Sequence, residues 1–80
     1  MSVILRSNGF LFVIYPNDHE PPHIHIFRAG AESIINLGID DQEPVIRDVY
    51  RMRNRDIAVA MAVTRANNDR FLKCWKELCP

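Results

Sequence analysis

The fold is decided by the stretch VILRSNGFLFVIY, residues 3–15. Its two halves, Val3–Arg6 and Phe10–Tyr15, are rich in β-branched and aromatic residues, as strands are. Between them, Asn8 and Gly9 supply the positive φ angles that a tight primed β-turn needs. We therefore predict a β-hairpin, and its second strand, which is apolar on both faces, is typical of an inner strand covered on both sides.

Two more strands follow the break at Pro16. His23–Phe27 alternates in the strand sense, so His23 and His25 are expected on one face and the isoleucines between and after them on the other. A Gly-containing turn then leads into a fourth strand, Glu32–Leu37. The pattern predicts an antiparallel sheet of about four strands.

The C-terminal part changes to a helical period. We expect helices at Arg55–Ala66 and Asp69–Cys79, with Asn54 as N-cap of the first and Asn68 as N-cap of the second. Both carry an apolar stripe that predicts packing on one face of the sheet. Before them, Val45–Met52 has a mixed pattern that fits an edge strand only loosely. The fold class is α+β.

Size and charge limit the functions open to the chain. Its 80 residues make one domain, residues 1–80. This is near the lower size limit at which a hydrophobic core suffices without disulfides, metal or a partner chain, so a homo-oligomer is one of the possible states. Ten basic and ten acidic residues give no overall field for nucleic acid, so an RNA role needs a local patch. Met1–Arg6 lacks a signal-peptide pattern and no stretch reaches membrane-spanning length, so we expect a cytoplasmic protein without membrane association.

All three histidines lie in the segment HEPPHIH, residues 19–25, which two adjacent prolines stiffen. His23 and His25, two apart on a strand, can present nitrogens to one zinc-like divalent metal, with His19 or Glu20 as a third ligand. The segment lacks the helical spacing of His-Glu-x-x-His zinc proteases. A plain alternative is a proline-rich loop held by histidines that hydrogen-bond to backbone and carboxylates.

The same residues could also act without any cofactor. One imidazole as general base and another as general acid, among His19, His23 and His25, would suffice to cleave RNA through its own 2′-hydroxyl. Arg6 from the hairpin would neutralise the transition state, and Glu20 would orient a histidine. The chain is thus a candidate endoribonuclease.

One local basic segment stands out. Its residues are Arg47, Arg51, Arg53 and Arg55, with Tyr50 among them. Arginines beside an aromatic ring can hold phosphates and stack a base, which makes this segment a candidate nucleic-acid surface. Five acidic residues nearby in sequence favour instead a solvated, salt-bridged surface. Phe71 and Trp75 fall on the apolar helical stripe and are predicted to be core.

Residues spread over most of the chain match the pattern of a known family. They are Ile4, Leu5, Arg6, Gly9, Phe10, the segment 19–25, Gly30, Glu32, Leu37, Asn67, Leu72, Trp75 and Glu77. In these residues the chain resembles the small bacterial proteins of the domain of unknown function 4160. The segment 40–55 departs from the family pattern. The resemblance implies an antiparallel sheet followed by C-terminal helices, and a small cognate partner protein, because such proteins have been proposed as halves of toxin-antitoxin pairs.

Three functional hypotheses follow. The first is a toxin-antitoxin component that acts on or binds RNA through the His-Glu-Pro-Pro-His-x-His segment. The second is a non-catalytic module, an antitoxin or regulator, that binds a small cognate protein. The third is a metal-binding domain that uses His19, His23 and His25.

Overall fold

The computed structural model describes residues 1–80 as five strands followed by two helices. The elements are β1 (Ser2–Ser7), β2 (Phe10–Ile14), β3 (His23–Arg28), β4 (Ala31–Asn36), β5 (Val45–Tyr50), α1 (Asn54–Ala66) and α2 (Asn68–Leu78). The strands form one antiparallel sheet in the order β1-β2-β3-β4-β5. The α+β class is confirmed, with five strands where about four were predicted.

Two tight hairpins set the register of the sheet. Asn8 and Gly9 have φ angles of 50° and 82° and connect β1 to β2, which confirms the predicted turn. Ala29 and Gly30, with φ angles of 47° and 80°, connect β3 to β4 in the same way. Positive φ at both central residues matches the twist of the flanking strands. These turns fix which side chains share a face.

The helices cover one face of the sheet. Phe12, Ile24 and Ile26 have no exposed surface and form one core with Phe71 and Trp75 of α2. The predicted alternation in β3 is therefore confirmed, since the isoleucines lie in the core. The prediction of Phe71 and Trp75 as core residues is confirmed as well.

Neither predicted helix cap acts as a cap. Asn54 is the first helical residue of α1, Arg53 occupies the N-cap position, and no side chain caps that end. Asn68 begins α2, and its side-chain amide bonds to Gly38 instead, accepting from the backbone nitrogen at 2.9 Å and donating to the carbonyl at 2.8 Å. Asn68 therefore fastens α2 to the loop after β4.

Residues Val45–Tyr50 of the segment predicted as a loosely fitting edge strand, Val45–Met52, form β5 at the edge of the sheet. β5 ends at Tyr50, and Met52 beyond it is buried in the core. Val45, Val49 and Tyr50 are exposed. Of the two helices, neither combines the length and the apolar character that crossing a bilayer demands.

Candidate functional site

The loop between β2 and β3 carries the candidate site and is fastened to the end of α2. The backbone nitrogen of Asn17 donates to the carbonyl of Leu78 at 3.0 Å. The Cys79 thiol donates to the carbonyl of Tyr15 at 3.4 Å. These contacts hold the loop where Asp18 can turn back toward the start of β3.

His23 is held by hydrogen bonds at both ring nitrogens. Its Nδ1 lies 2.8 Å from the carbonyl oxygen of Pro21, and its Nε2 lies 2.9 Å from Oδ2 of Asp18. A carbonyl oxygen can only accept, so Nδ1 carries a proton. The side chain is only 4% exposed, and its ring lies 4.9 Å from the ring of Trp75, measured between centroids. The two bonds and the packing on Trp75 fix the position of this imidazole.

His25 lies on the sheet face that the helices leave uncovered. Its Nδ1 is 2.9 Å from Oε2 of Glu32, and the edge of the Tyr15 ring packs on it with centroids 4.7 Å apart. Its Nε2 is buried, has no hydrogen-bond partner, and lies 3.6 Å from Oδ2 of Asp18. That distance is too long for a hydrogen bond. One buried nitrogen therefore faces a carboxylate without bonding to it.

The two imidazoles share one arrangement. In each, Nδ1 meets a fixed acceptor, and Nε2 points at the same oxygen of Asp18. The ligand atoms of Asp18, His23 and His25 all lie within 4.8 Å of one another. We call these three residues the Asp-His-His cluster. Histidines that bind metals commonly donate their other ring N–H to a carboxylate or carbonyl, as both do here.

The cluster also changes the acidity of Asp18. Burial by itself would raise the pKa of this carboxyl group. The hydrogen bond from the His19 backbone, the charge and side-chain hydrogen bond of His23 and the nearby His25 imidazole oppose burial and lower the pKa below its ordinary value. Asp18 is therefore held as a carboxylate, which is the form that binds cations.

A family model described as Domain of unknown function (DUF4160) matches residues 9–76. The chain belongs to the DUF4160 family. This confirms the resemblance that the sequence gives, and the matched span contains the whole cluster together with Glu32. No curated protein and no solved structure matches the chain. The description of the family states no activity, so the function of this DUF4160 protein has to be argued from its own geometry.

The structure brings together two of the five residues predicted as a catalytic set. His23 and His25 meet, but the His19 side chain is exposed and lies outside the cluster, where only its backbone nitrogen bonds Asp18, at 2.9 Å. Asp18, and not His19 or Glu20, lies beside the two histidines.

The two predicted assistants also lie outside the cluster. Glu20 is exposed and makes no ion pair. Arg6 is exposed and pairs with Leu11 of β2, which in turn pairs with Phe27 of β3. Arg6 therefore lies two strands away from β3, level with Phe27 and not with His25. The carboxylate that orients a histidine is Glu32. The β3–β4 turn signal could have identified Glu32, because a two-residue turn places it opposite Phe27, diagonal to His25.

The four arginines of the predicted nucleic-acid surface divide into two groups. Arg51, Arg53 and Arg55 line one concavity at the junction of β5 and α1. Arg47 does not line it and instead pairs with Asp48, with 3.7 Å between Nε and Oδ2.

Proposed function

We propose that this DUF4160 protein is a metal-binding domain in which Asp18, His23 and His25 hold one zinc-like divalent ion. The observation that carries the proposal is the buried Nε2 of His25, which faces the Asp18 carboxylate at 3.6 Å with no hydrogen-bond partner. A buried polar atom without a partner is costly and calls for an explanation. A cation bound between the nitrogens and the carboxylate would supply the missing interaction.

The spacing and chemistry of the cluster suit zinc. Zinc binds imidazole nitrogens and carboxylate oxygens at about 2.0–2.2 Å, which separates tetrahedral ligand atoms by about 3.3 Å. The distances of 2.9 and 3.6 Å from Asp18 Oδ2 to the two Nε2 atoms lie on either side of this value, and the widest separation among the ligand atoms, up to 4.8 Å, would have to shorten when the ion binds. Three protein ligands leave one tetrahedral position for water or another molecule, as in sites that act on a substrate.

The arrangement supports metal binding better than catalysis by the imidazoles alone. A general acid or base must come within hydrogen-bonding reach of the substrate. In His23 and His25, both Nδ1 atoms are occupied by Pro21 and Glu32, and both Nε2 atoms face Asp18. No ring nitrogen of the cluster points outward, which argues against a metal-free ribonuclease at this site. The toxin-antitoxin role and the small cognate partner stay predictions.

Calorimetric titration of chelator-treated protein with zinc chloride tests the proposal. We expect one ion per chain and a loss of more than about 100-fold in affinity for His25→Ala, beyond the range seen for outer partners. Glu32→Gln, which keeps the shape but weakens the orienting contact, should cost about 10–100-fold.

His19→Ala is the matched control, because it removes an exposed histidine of the same loop. It should bind zinc as the natural sequence does. Equal affinities in His19→Ala and His25→Ala, or no stoichiometric binding by the natural sequence, would refute the proposal. Circular dichroism of each variant confirms that the comparison is between folded proteins.

A further inference from the structure

The arginines at the junction of β5 and α1 have no carboxylate partners. The acidic residues near them in sequence are engaged or placed elsewhere. Asp48 pairs with Arg47, Asp56 pairs with Arg28 at 3.5 Å, and Glu43 pairs with Arg65 at 3.0 Å. Asp40 and Asp41 line a separate concavity beside the start of α2. The salt-bridged surface that the sequence favours therefore does not form around Arg51, Arg53 and Arg55.

These three arginines line a concavity of about 350 Å³. Its remaining charged residues are Arg28 and Asp56, which pair with each other. Four arginines and one aspartate leave three positive charges on the lining. Guanidinium groups match the geometry of phosphate oxygens and are weakly hydrated, so such a lining favours phosphate groups over simple anions.

A second, larger concavity adjoins the first and has aromatic walls. Its volume is about 460 Å³, and Arg28 and Arg51 line both spaces. Phe27 and Tyr50 lie in its wall, and Tyr50 is 53% exposed. A phosphate-binding space beside an exposed aromatic ring is the combination that single-stranded nucleic acids bind, since the backbone follows the charge and a base stacks on the ring.

We propose that these two concavities form a binding site for a single-stranded nucleic acid, with phosphates on Arg51, Arg53 and Arg55 and a base on Tyr50. A base inside a duplex is stacked on its neighbours and could not reach the ring, so the site selects single strands. The site is separate from the Asp-His-His cluster and does not depend on a bound metal. Glu32 connects the two regions, because it lines the larger concavity and also bonds His25.

The backbone at Arg51 supports a functional reason for this side chain. Its φ angle is 60°, in the left-handed region where a side chain is strained and glycine is not. Arg51 is exposed, so the core does not require an arginine there. Arg51→Gly should therefore leave folding intact or improve it while weakening RNA binding. A residue kept only for stability would show the opposite result.

Fluorescence anisotropy with a fluorescein-labelled single-stranded RNA of twelve nucleotides, in buffer containing EDTA, tests the proposal. For three phosphate contacts the logarithm of the binding constant should fall with the logarithm of salt with a slope of about −2. The variant Arg51→Gly/Arg53→Ala/Arg55→Ala should bind at least about tenfold more weakly, with a slope near zero. Tyr50→Ala should cost about tenfold with an unchanged slope.

The matched control removes the same charge elsewhere. Arg65→Ala/Lys73→Ala/Lys76→Ala deletes three exposed cations of the two helices. It should keep the RNA affinity within about twofold, because it lacks phosphate contacts. Three results would overturn the proposal. They are equal weakening of RNA binding in both triple variants, displacement of RNA by polyglutamate as efficiently as by unlabelled RNA, and no RNA binding at low salt. EDTA keeps the outcome independent of the metal proposal.

Discussion

Replacing His23 with alanine will cost the metal-free protein about 3 kcal/mol of its free energy of unfolding. His23 is only 4% exposed and packs against Trp75, so truncation of its side chain leaves a cavity beside the Trp75 ring. Truncation of large buried side chains to alanine typically costs at least about 2 kcal/mol. The lost hydrogen bond to the Pro21 carbonyl adds about 1 kcal/mol. Asp18 is 27% exposed and regains water, so its lost contact adds little.

This cost is a large part of the total stability. A domain of this size has about 4–12 kcal/mol in all. A loss of about 3 kcal/mol lowers the melting temperature by roughly 12–24 °C. Thermal and urea unfolding, followed by circular dichroism in EDTA, measure it without any contribution from metal.

His19→Ala serves as the control, because this exposed neighbour makes no side-chain contact within the cluster. Its unfolding free energy should stay within about 0.5 kcal/mol of the natural value. The account of His23 as a packed and doubly bonded residue is refuted if His23→Ala changes the free energy by less than 1 kcal/mol, or if His19→Ala costs as much.

Three further predictions concern the loss of stability at low pH, the hydrogen bonds between Asn68 and Gly38, and the turn between β3 and β4. The pKa of Asp18 is lowered by folding, so its stabilising contribution is present above about pH 4 and is lost as the pH falls further. In Asp18→Asn, the free energy of unfolding from urea titrations should therefore fall less steeply with decreasing pH in this range. Asn68→Ala should cost about 2–3 kcal/mol because both bonds to Gly38 are lost, whereas Asn54→Ala, at an end without a capping bond, should change the urea midpoint little. Ala29→Asn should add about 1 kcal/mol, since asparagine tolerates positive φ better; an unchanged melting temperature would contradict this.

Most of the sheet could be predicted because its signals are local. Asn8 with Gly9 specifies one hairpin, and the period-two pattern of residues 23–27 specifies which face carries the histidines. β5 was harder, because an edge strand needs no apolar alternation on its exposed side. The caps were wrong for a different reason, since Asn68 satisfies Gly38 across the fold and nothing in the local sequence indicates such a contact.

Only the two histidines of the candidate site could be predicted, because the position of Asp18 depends on contacts across the fold and not on local sequence. His23 and His25 share a face because of strand geometry alone. Whether Asp18 or His19 joins them depends on how the loop turns back, and that is fixed by the end of α2 through a contact between residues 64 positions apart. Glu32 reaches His25 across the β3–β4 pair, whose register follows from the two-residue turn at Ala29 and Gly30. The contact could therefore have been predicted from the sequence by extending the register from that turn.

Zinc K-edge X-ray absorption of the protein loaded with one equivalent of zinc tests the central claim most directly. The account predicts two imidazole nitrogens and oxygen ligands at about 2.0–2.2 Å, with the imidazole signal lost in the His23→Ala/His25→Ala variant. It also predicts no sulfur, because Cys74 and Cys79 lie outside the cluster. A spectrum with sulfur at about 2.3 Å, or one that is identical in the double variant, would contradict it.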